Sequence, residues 1–243
     1  MNCPQNTLAA WTISLLSAAC TAPVPAPPEL AVVAKDSGTA FSPELPVLKI
    51  QGERLILHSG TPYPERGPYQ ILADNLPPTP APVALDIPAD AIAAQLRKPL
   101  GILADARPDI AFRDVCLRVS AGGESRCLGA MLRPESSIAG WLGSMESPAK
   151  IRLVVRQSGM EVVTIHGKIP GPDRYGPSIP AVGGVHDFGL LAKDMAMLSA
   201  KFPDEREVVL LLSPQTPFQT AVLTMDTAQK ASGGQFSRFI LAY

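Results

Sequence analysis

Three histidines, four cysteines and the acidic run Asp204-Glu205-Arg206-Glu207 are the side chains with which this 243-residue chain could do chemistry. His58 and His166 close two similar segments, LKIQGERLILHSG (48–60) and VVRQSGMEVVTIHG (154–167). Matching positions would suit a paired metal site or an acid–base pair, but structural repetition alone also produces them. His186 precedes Asp187, which stands where a helix N-cap belongs. Neither CxxC nor a Cys/His cluster offers zinc its ligands. GxSxG, HExxH and GxxxxGK[ST] are all missing. Gly122-Gly123 follows an expected helix, not the strand that a phosphate-cradling loop requires. The expectation is therefore no catalytic residue, no metal ligand and no cofactor, with a hydrolase of unrecognised site as the enzymatic alternative. The charge run is expected to solvate a turn. Met195, Met197 and Met225 are expected to fill core.

The elements that would position these side chains are easiest to read at the C-terminal end. Phe188, Leu191, Met195, Leu198 and Phe202 recur at steps of three or four, the stripe of an amphipathic helix. Val208–Leu212 is too short an apolar run for a helix, so it reads as a strand buried on both faces. Phe218, Ala221, Val222 and Met225 form a second stripe, which Gly233 and Gly234 end. Residues 236–243 then read as a closing strand, either an edge or an interior one. The order is helix, strand, helix, strand.

That order resembles the periplasmic domain of the ExbD/TolR family of biopolymer-transport proteins. The residues that carry the likeness are FPDER (202–206), the apolar strand, Pro217-Phe218 and Met225-Asp226. Ser213 departs from it, standing where the family often has Asp. The likeness covers about a quarter of the chain. It implies a small α/β unit with helices on one face of a mixed sheet, able to dimerise and to contact envelope proteins or peptidoglycan. Family members usually carry a transmembrane helix with a proton-coupling Asp. Here the one apolar N-terminal segment, Leu8–Ala19, holds no acidic residue and is too short to span, so no proton coupling is expected.

An internal repeat extends the same order over the rest of the chain. Ala89–Lys98 reads as a helix, Leu100–Asp105 as a strand, Phe112, Val115, Cys116 and Val119 as a helical stripe stopped by Gly122-Gly123, and Cys127–Leu132 as the last strand. The fold class expected is α/β (α+β), with two tandem small units at 47–133 and 150–243. Loops without regular structure are expected at Leu76–Pro82 and Ile169–Gly184, where prolines remove ladder donors. Residues 134–149 would be a linker or a short helix, with Trp141 packing the units together or buried locally. Cys116 and Cys127 could form a disulfide, closing a short loop and contributing about 2–3 kcal/mol, or remain two buried thiols.

Residues 1–20 read as an export signal. Ser17-Ala18-Ala19-Cys20 resembles a lipoprotein cleavage box, with Cys20 as the lipidated residue. Plain secretion and an unprocessed start are the alternatives, because the first residues carry no Lys or Arg. Residues 21–46 read as a Pro-rich spacer, extended by about 3 Å per residue. The net charge of −1 and the lack of a basic cluster exclude a nucleic-acid binder. The function expected is a non-enzymatic envelope protein in the periplasm or on the outer membrane. It would touch the membrane only through an N-terminal lipid and bind transport or motility partners, a second copy of itself, or peptidoglycan. The alternative is a solute- or glycan-binding module whose cleft lies between the units, with Trp141, Arg174 and Tyr175 as ligand contacts.

Overall fold

The computed structural model describes residues 29–43, 45–57, 83–106, 114–143 and 147–243. Cys3, Cys20, His58, Phe112 and the Leu76–Pro82 loop lie outside them. In chain order come β1 (Val32–Val33), β2 (Thr39–Ala40), β3 (Val47–Gln51), β4 (Arg54–Leu57), β5 (Ala84–Asp86), α1 (Ala93–Ala106), β6 (Asp114–Ala121) and β7 (Glu124–Arg133). A 3-10 turn (Glu135–Ser137) and α2 (Ile138–Gly143) follow. The second half is β8 (Ile151–Arg156), β9 (Gly159–Thr164), β10 (Gly167–Lys168), β11 (Ile179–Pro180), α3 (Phe188–Lys201), β12 (Glu207–Leu212), α4 (Phe218–Ala231) and β13 (Arg238–Ala242).

The strands form one mixed α/β sheet in the order β10-β9-β8-β12-β13-β7-β6-β5-β3-β4. The pairing order β4-β3-β5-β6 in the first half runs as β9-β8-β12-β13 does in the second, and α1 and α4 take corresponding places between their strands. The described residues nevertheless share a single sheet and one helix-side core, not two separately packed bodies. Leu96, Leu100 and Leu103 of α1, Leu191, Met195 and Leu198 of α3, and Phe218, Val222 and Met225 of α4 all enter that core. Each such side chain contributes about 1.5–3 kcal/mol by leaving water. Val208, Val209 and Leu210 are fully buried, as expected for a strand covered on both faces.

Several first-half assignments change. Residues 100–105 are not a strand but part of α1, where Leu96, Leu100 and Leu103 keep the helical spacing. The segment around Val115 and Val119 is not a helix but β6. Val115, Leu117 and Val119 face the helices while Cys116 and Arg118 face the other side, a period of two that β-branched residues favour. Gly122 and Gly123, at φ +59° and +86°, form the two-residue turn of the β6–β7 hairpin instead of ending a helix. Of the spacer expected at 21–46, residues 21–28 lie outside the described residues, and the described part is not a spacer. Ala31 and Val33 enter the core, β1 pairs with β6, and β2 pairs with β7. Gly38 makes the close approach to β7 with φ +67°, where a Cβ would stand 2.5 Å from the Cys127 carbonyl oxygen. The Ile169–Gly184 loop is not wholly irregular, since β11 pairs with β9.

Residues 236–243 do not form an edge. β13 pairs with β12 on one side and with β7 on the other, both parallel. The sheet face away from the three long helices is covered at its centre by α2. Ile138 and Trp141 pack there on Met131 of β7, Val209 of β12, and Ile240 and Ala242 of β13. Trp141 thus rests on strands from both halves. We predict that Trp141→Ala costs about 3–5 kcal/mol in urea denaturation through lost burial. Trp141→Phe, which keeps most of the volume but not the indole N–H, should cost about 1–2 kcal/mol.

Candidate functional site

Two polar arrangements stand out, and they differ in whether their groups are satisfied. The first surrounds Trp141. Its indole Nε1–H donates to Glu207 Oε2 at 2.9 Å, and Arg238 Nη1 lies 3.0 Å from Glu207 Oε1. The Lys150 ammonium sits 4.8 Å from the centre of the Trp141 ring and donates to the Trp141 carbonyl at 2.9 Å. Lys150 holds φ at +51°, unusual for a residue with a Cβ. Glu205, fully buried, accepts from Ser147 Oγ (2.6 Å), Ala149 N (2.8 Å), Arg206 N (2.9 Å) and Glu207 N (2.8 Å). Sequence reasoning gave this charge run to solvent. Glu205 and Glu207 are instead inside, held by donors that offset their desolvation. With its four donors in place, Glu205 reads as a staple between residues 147–149 and the start of β12.

The second arrangement is a cleft of about 670 Å³ where the halves of the sheet meet. The N-terminal strap Asp36–Thr39 forms one wall, Cys127–Gly129 of β7 the floor, and Asp226, Gln229, Lys230, Gly233, Gly234 and Ser237 the other wall. Lys230 Nζ donates to Asp36 Oδ1 at 2.8 Å and lies 3.5 Å from Asp226 Oδ2. Asp226 Oδ1 and the Ser37 hydroxyl are buried with no hydrogen-bond partner among the described residues. They belong to residues only 6% and 2% exposed. Hydrogen bonding from Lys230 holds the Asp36 carboxyl below the usual carboxylate range, helped by its own backbone and the Lys230 charge against a small effect of burial. Burial works against the Lys230 ammonium, but hydrogen bonds and charges from Asp36 and Asp226 outweigh it and raise its pKa.

The residues singled out from sequence are scattered. Trp141 is enclosed between α2 and the sheet, whereas Tyr175 is 88% exposed with the Arg174 guanidinium 5.8 Å from its ring centre, so the three expected ligand contacts do not line one cleft. His166 stacks on Phe202 with ring centres 6.0 Å apart, and His186 Nε2 is 2.7 Å from the Arg156 carbonyl oxygen. Asp187 caps α3 as expected, its Oδ1 accepting from Leu190 N at 2.9 Å. Met195 and Met225 are core, while Met197 is half exposed. Ser213 closes a turn with Thr216, hydroxyl to hydroxyl at 2.9 Å. The N-terminus of α4 offers no anion site, since Phe218 N and Gln219 N already donate to the Ala91 and Ala89 carbonyls. Cys116 and Cys127 are paired across β6 and β7 with Cα atoms 5.2 Å apart, within disulfide range. The cleft itself was missed. Asp226 and Lys230 are one helical turn apart, but Asp36 lies 194 residues from Lys230, a separation no local pattern bridges. No protein-family model, curated protein or solved structure matches the chain.

Two predictions follow from these groups. Cys116→Ser should remove about 2–3 kcal/mol of stability under oxidising conditions, with a smaller loss when the parent protein is reduced as well. For the strap, the depressed Asp36 pKa means that the folded chain binds fewer protons than the unfolded chain at acid pH. Its anchoring is therefore complete above the ordinary Asp pKa of about 4 and is lost as pH falls through the folded value. The raised Lys230 pKa gives the mirror case, complete below the ordinary lysine value of about 10.4 and lost as pH rises through the folded one. Amide exchange at β2, corrected for its intrinsic rate, should quicken as pH falls below the ordinary Asp value of about 4 in the parent and stay flat in Asp36→Asn.

Proposed function

We propose that this chain is a non-enzymatic binding module of the bacterial cell envelope, similar to the periplasmic part of the ExbD/TolR biopolymer-transport proteins. It acts by contact with envelope partners or peptidoglycan. The observation that carries the proposal is the arrangement of residues 150–243, a hairpin, helix, strand, helix and strand with both helices on one sheet face. Phe218 and Met225, from the two short motifs of the likeness, stand in that core at 1% and 0% exposure. The same strand order in the first half supports a tandem origin. The close Cys116–Cys127 pair suits an oxidising compartment and with it an exported, lipid-anchored or secreted chain.

Binding through strand addition needs an open sheet edge. Because β13 is interior, that role passes to the ends of the strand order, where β4 stands on one side and β9, partly covered by β10 and β11, on the other. No helix among the described residues is long and apolar enough to cross a membrane, so membrane contact in this proposal rests on a lipid at Cys20. A second reading, a solute-binding module, is favoured by the cleft between strap, β7 and α4.

The test is mass spectrometry of the mature N-terminus together with crosslinking in whole cells. An acylated Cys20 as the first residue and recurrent crosslinks to envelope proteins or peptidoglycan are expected. An intact Met1 on a cytosolic protein would overturn the proposal.

A further inference from the structure

A pocket of about 280 Å³ opens on the sheet face away from the three long helices, where β5 ends. Ile56 of β4, Lys49 of β3, Asp86 of β5 and Arg118 of β6 form one row across the sheet, each opposite the next in register. Residues so paired share a face, and all four line the pocket. Beyond Asp86 the chain turns off through Ile87 and Pro88, Leu30 bridges to Pro88, and β6 takes β1 as its partner from Ser120 onward. That change of partner leaves the hollow. It lies at the carboxyl ends of the parallel strands β3 and β5, where open α/β sheets commonly take ligands.

The row sets Lys49 and Arg118 on either side of Asp86, so the lining carries two cations against one carboxylate and one positive charge in excess. Lys49 is exposed. Its Cα stands two strand spacings, about 10 Å, from that of Arg118. Arg118 is held from two directions, its Nε 2.8 Å from Asp86 Oδ1 and its guanidinium 5.3 Å from the centre of the Phe41 ring. The Asp86 side chain is 9% exposed and that of Arg118 25%. Arg118 Nε is buried, whereas both Nη nitrogens stay open to solvent and have no hydrogen-bond partner among the described residues. A guanidinium fixed through Nε and one face presents a planar fork that matches a carboxylate. Leu30, Ile56, Ile87 and Pro88 add apolar walls.

From the fixed Arg118 fork, the excess positive charge and the apolar walls, we infer that this pocket binds a small carboxylate with a short aliphatic body. The ligand carboxylate accepts from the Arg118 Nη nitrogens, Lys49 supplies the second cation at the rim, and the carbon chain lies against Ile56, Ile87 and Pro88. The volume, just under that of sites for drug-sized ligands, limits the length of the chain. The pocket is separate from the cleft beside α4, and its ligand is independent of whether an envelope partner docks at a sheet edge.

The test is an NMR titration of the full chain with sodium hexanoate at constant ionic strength. 1-Hexanol is the uncharged control, and inorganic phosphate is the anion without a carbon body. Saturable shifts are expected at Leu30, Lys49, Gln51, Ile87 and Arg118, with a Kd on the order of 1 mM and no saturation by either control over the same concentrations. Arg118→Lys, which keeps the charge and loses the fork, should weaken binding by about tenfold. Lys49→Gln should weaken it by about threefold or more while leaving the melting temperature near the parent value, because that side chain is exposed. Absence of saturable hexanoate shifts, hexanol or phosphate bound as tightly, or unchanged affinity in Lys49→Gln would each overturn the inference. Saturable hexanoate binding alongside empty whole-cell crosslinks would leave this inference standing and remove the partner-docking proposal.

Discussion

Three residue pairs between β7 and β13, Ile240 with Met131, Leu241 with Leu132 and Ala242 with Arg133, join the two halves into one sheet. Each half alone would be a small unit with a limited core. Joined through these pairs, the sheet presents one continuous face to α1, α3 and α4. On the other face the same strands need a cover, and α2 supplies it with Ile138 and Trp141. The connection between the halves, residues 134–149, is therefore a packed element whose tryptophan holds the junction from behind.

Burial of charge follows the same junction. Glu205 and Glu207 flank the start of β12, and neither is exposed to water. An isolated buried carboxylate would cost several kcal/mol. Glu205 avoids this with two backbone N–H groups from its own turn and a further N–H and hydroxyl from residues 147–149. Glu207 does so with the indole of Trp141 and the guanidinium of Arg238. These partners fix the path of the chain into β8, so the acidic run determines how the connecting segment docks. The cleft on the other side of the junction is the contrasting case. There Asp226 and Ser37 are buried to a similar degree and left incomplete.

Much of the second half was legible in sequence because its periods are unambiguous. Helix stripes of three and four alternate with the unbroken Val208–Leu212 run, and Asp187 marks a helix start. The first half misled for a physical reason. Phe112, Val115, Cys116 and Val119 satisfy a helical spacing by coincidence, while Val115, Leu117 and Val119 satisfy the strand period that tertiary pairing selects. The Gly-Gly pairs looked equivalent in sequence, yet Gly122-Gly123 turns a hairpin whereas Gly233-Gly234 follows a helix. The acidic run misled because burial of Glu205 depends on donors nearly sixty residues away. The cleft was invisible for the same reason, being assembled from three distant stretches.

The strap of residues 29–40 has a mechanical consequence. It is laced to the body in series: the Glu29 carbonyl accepts from Ala89 N, Val32 and Val33 run beside β6 with Val32 also bonded to the Gln219 carboxamide, Asp36 then reaches Lys230, and Thr39 and Ala40 lie alongside β7. Tension applied upstream of Glu29 would reach these fastenings one after another before any load fell on the hairpin of β3 and β4. The Asp36 fastening is a wall of the cleft. Pulling on the chain ahead of Glu29 would thus strip β1 from β6 before it released that wall, while the strand ladder from β4 to β9 stayed whole.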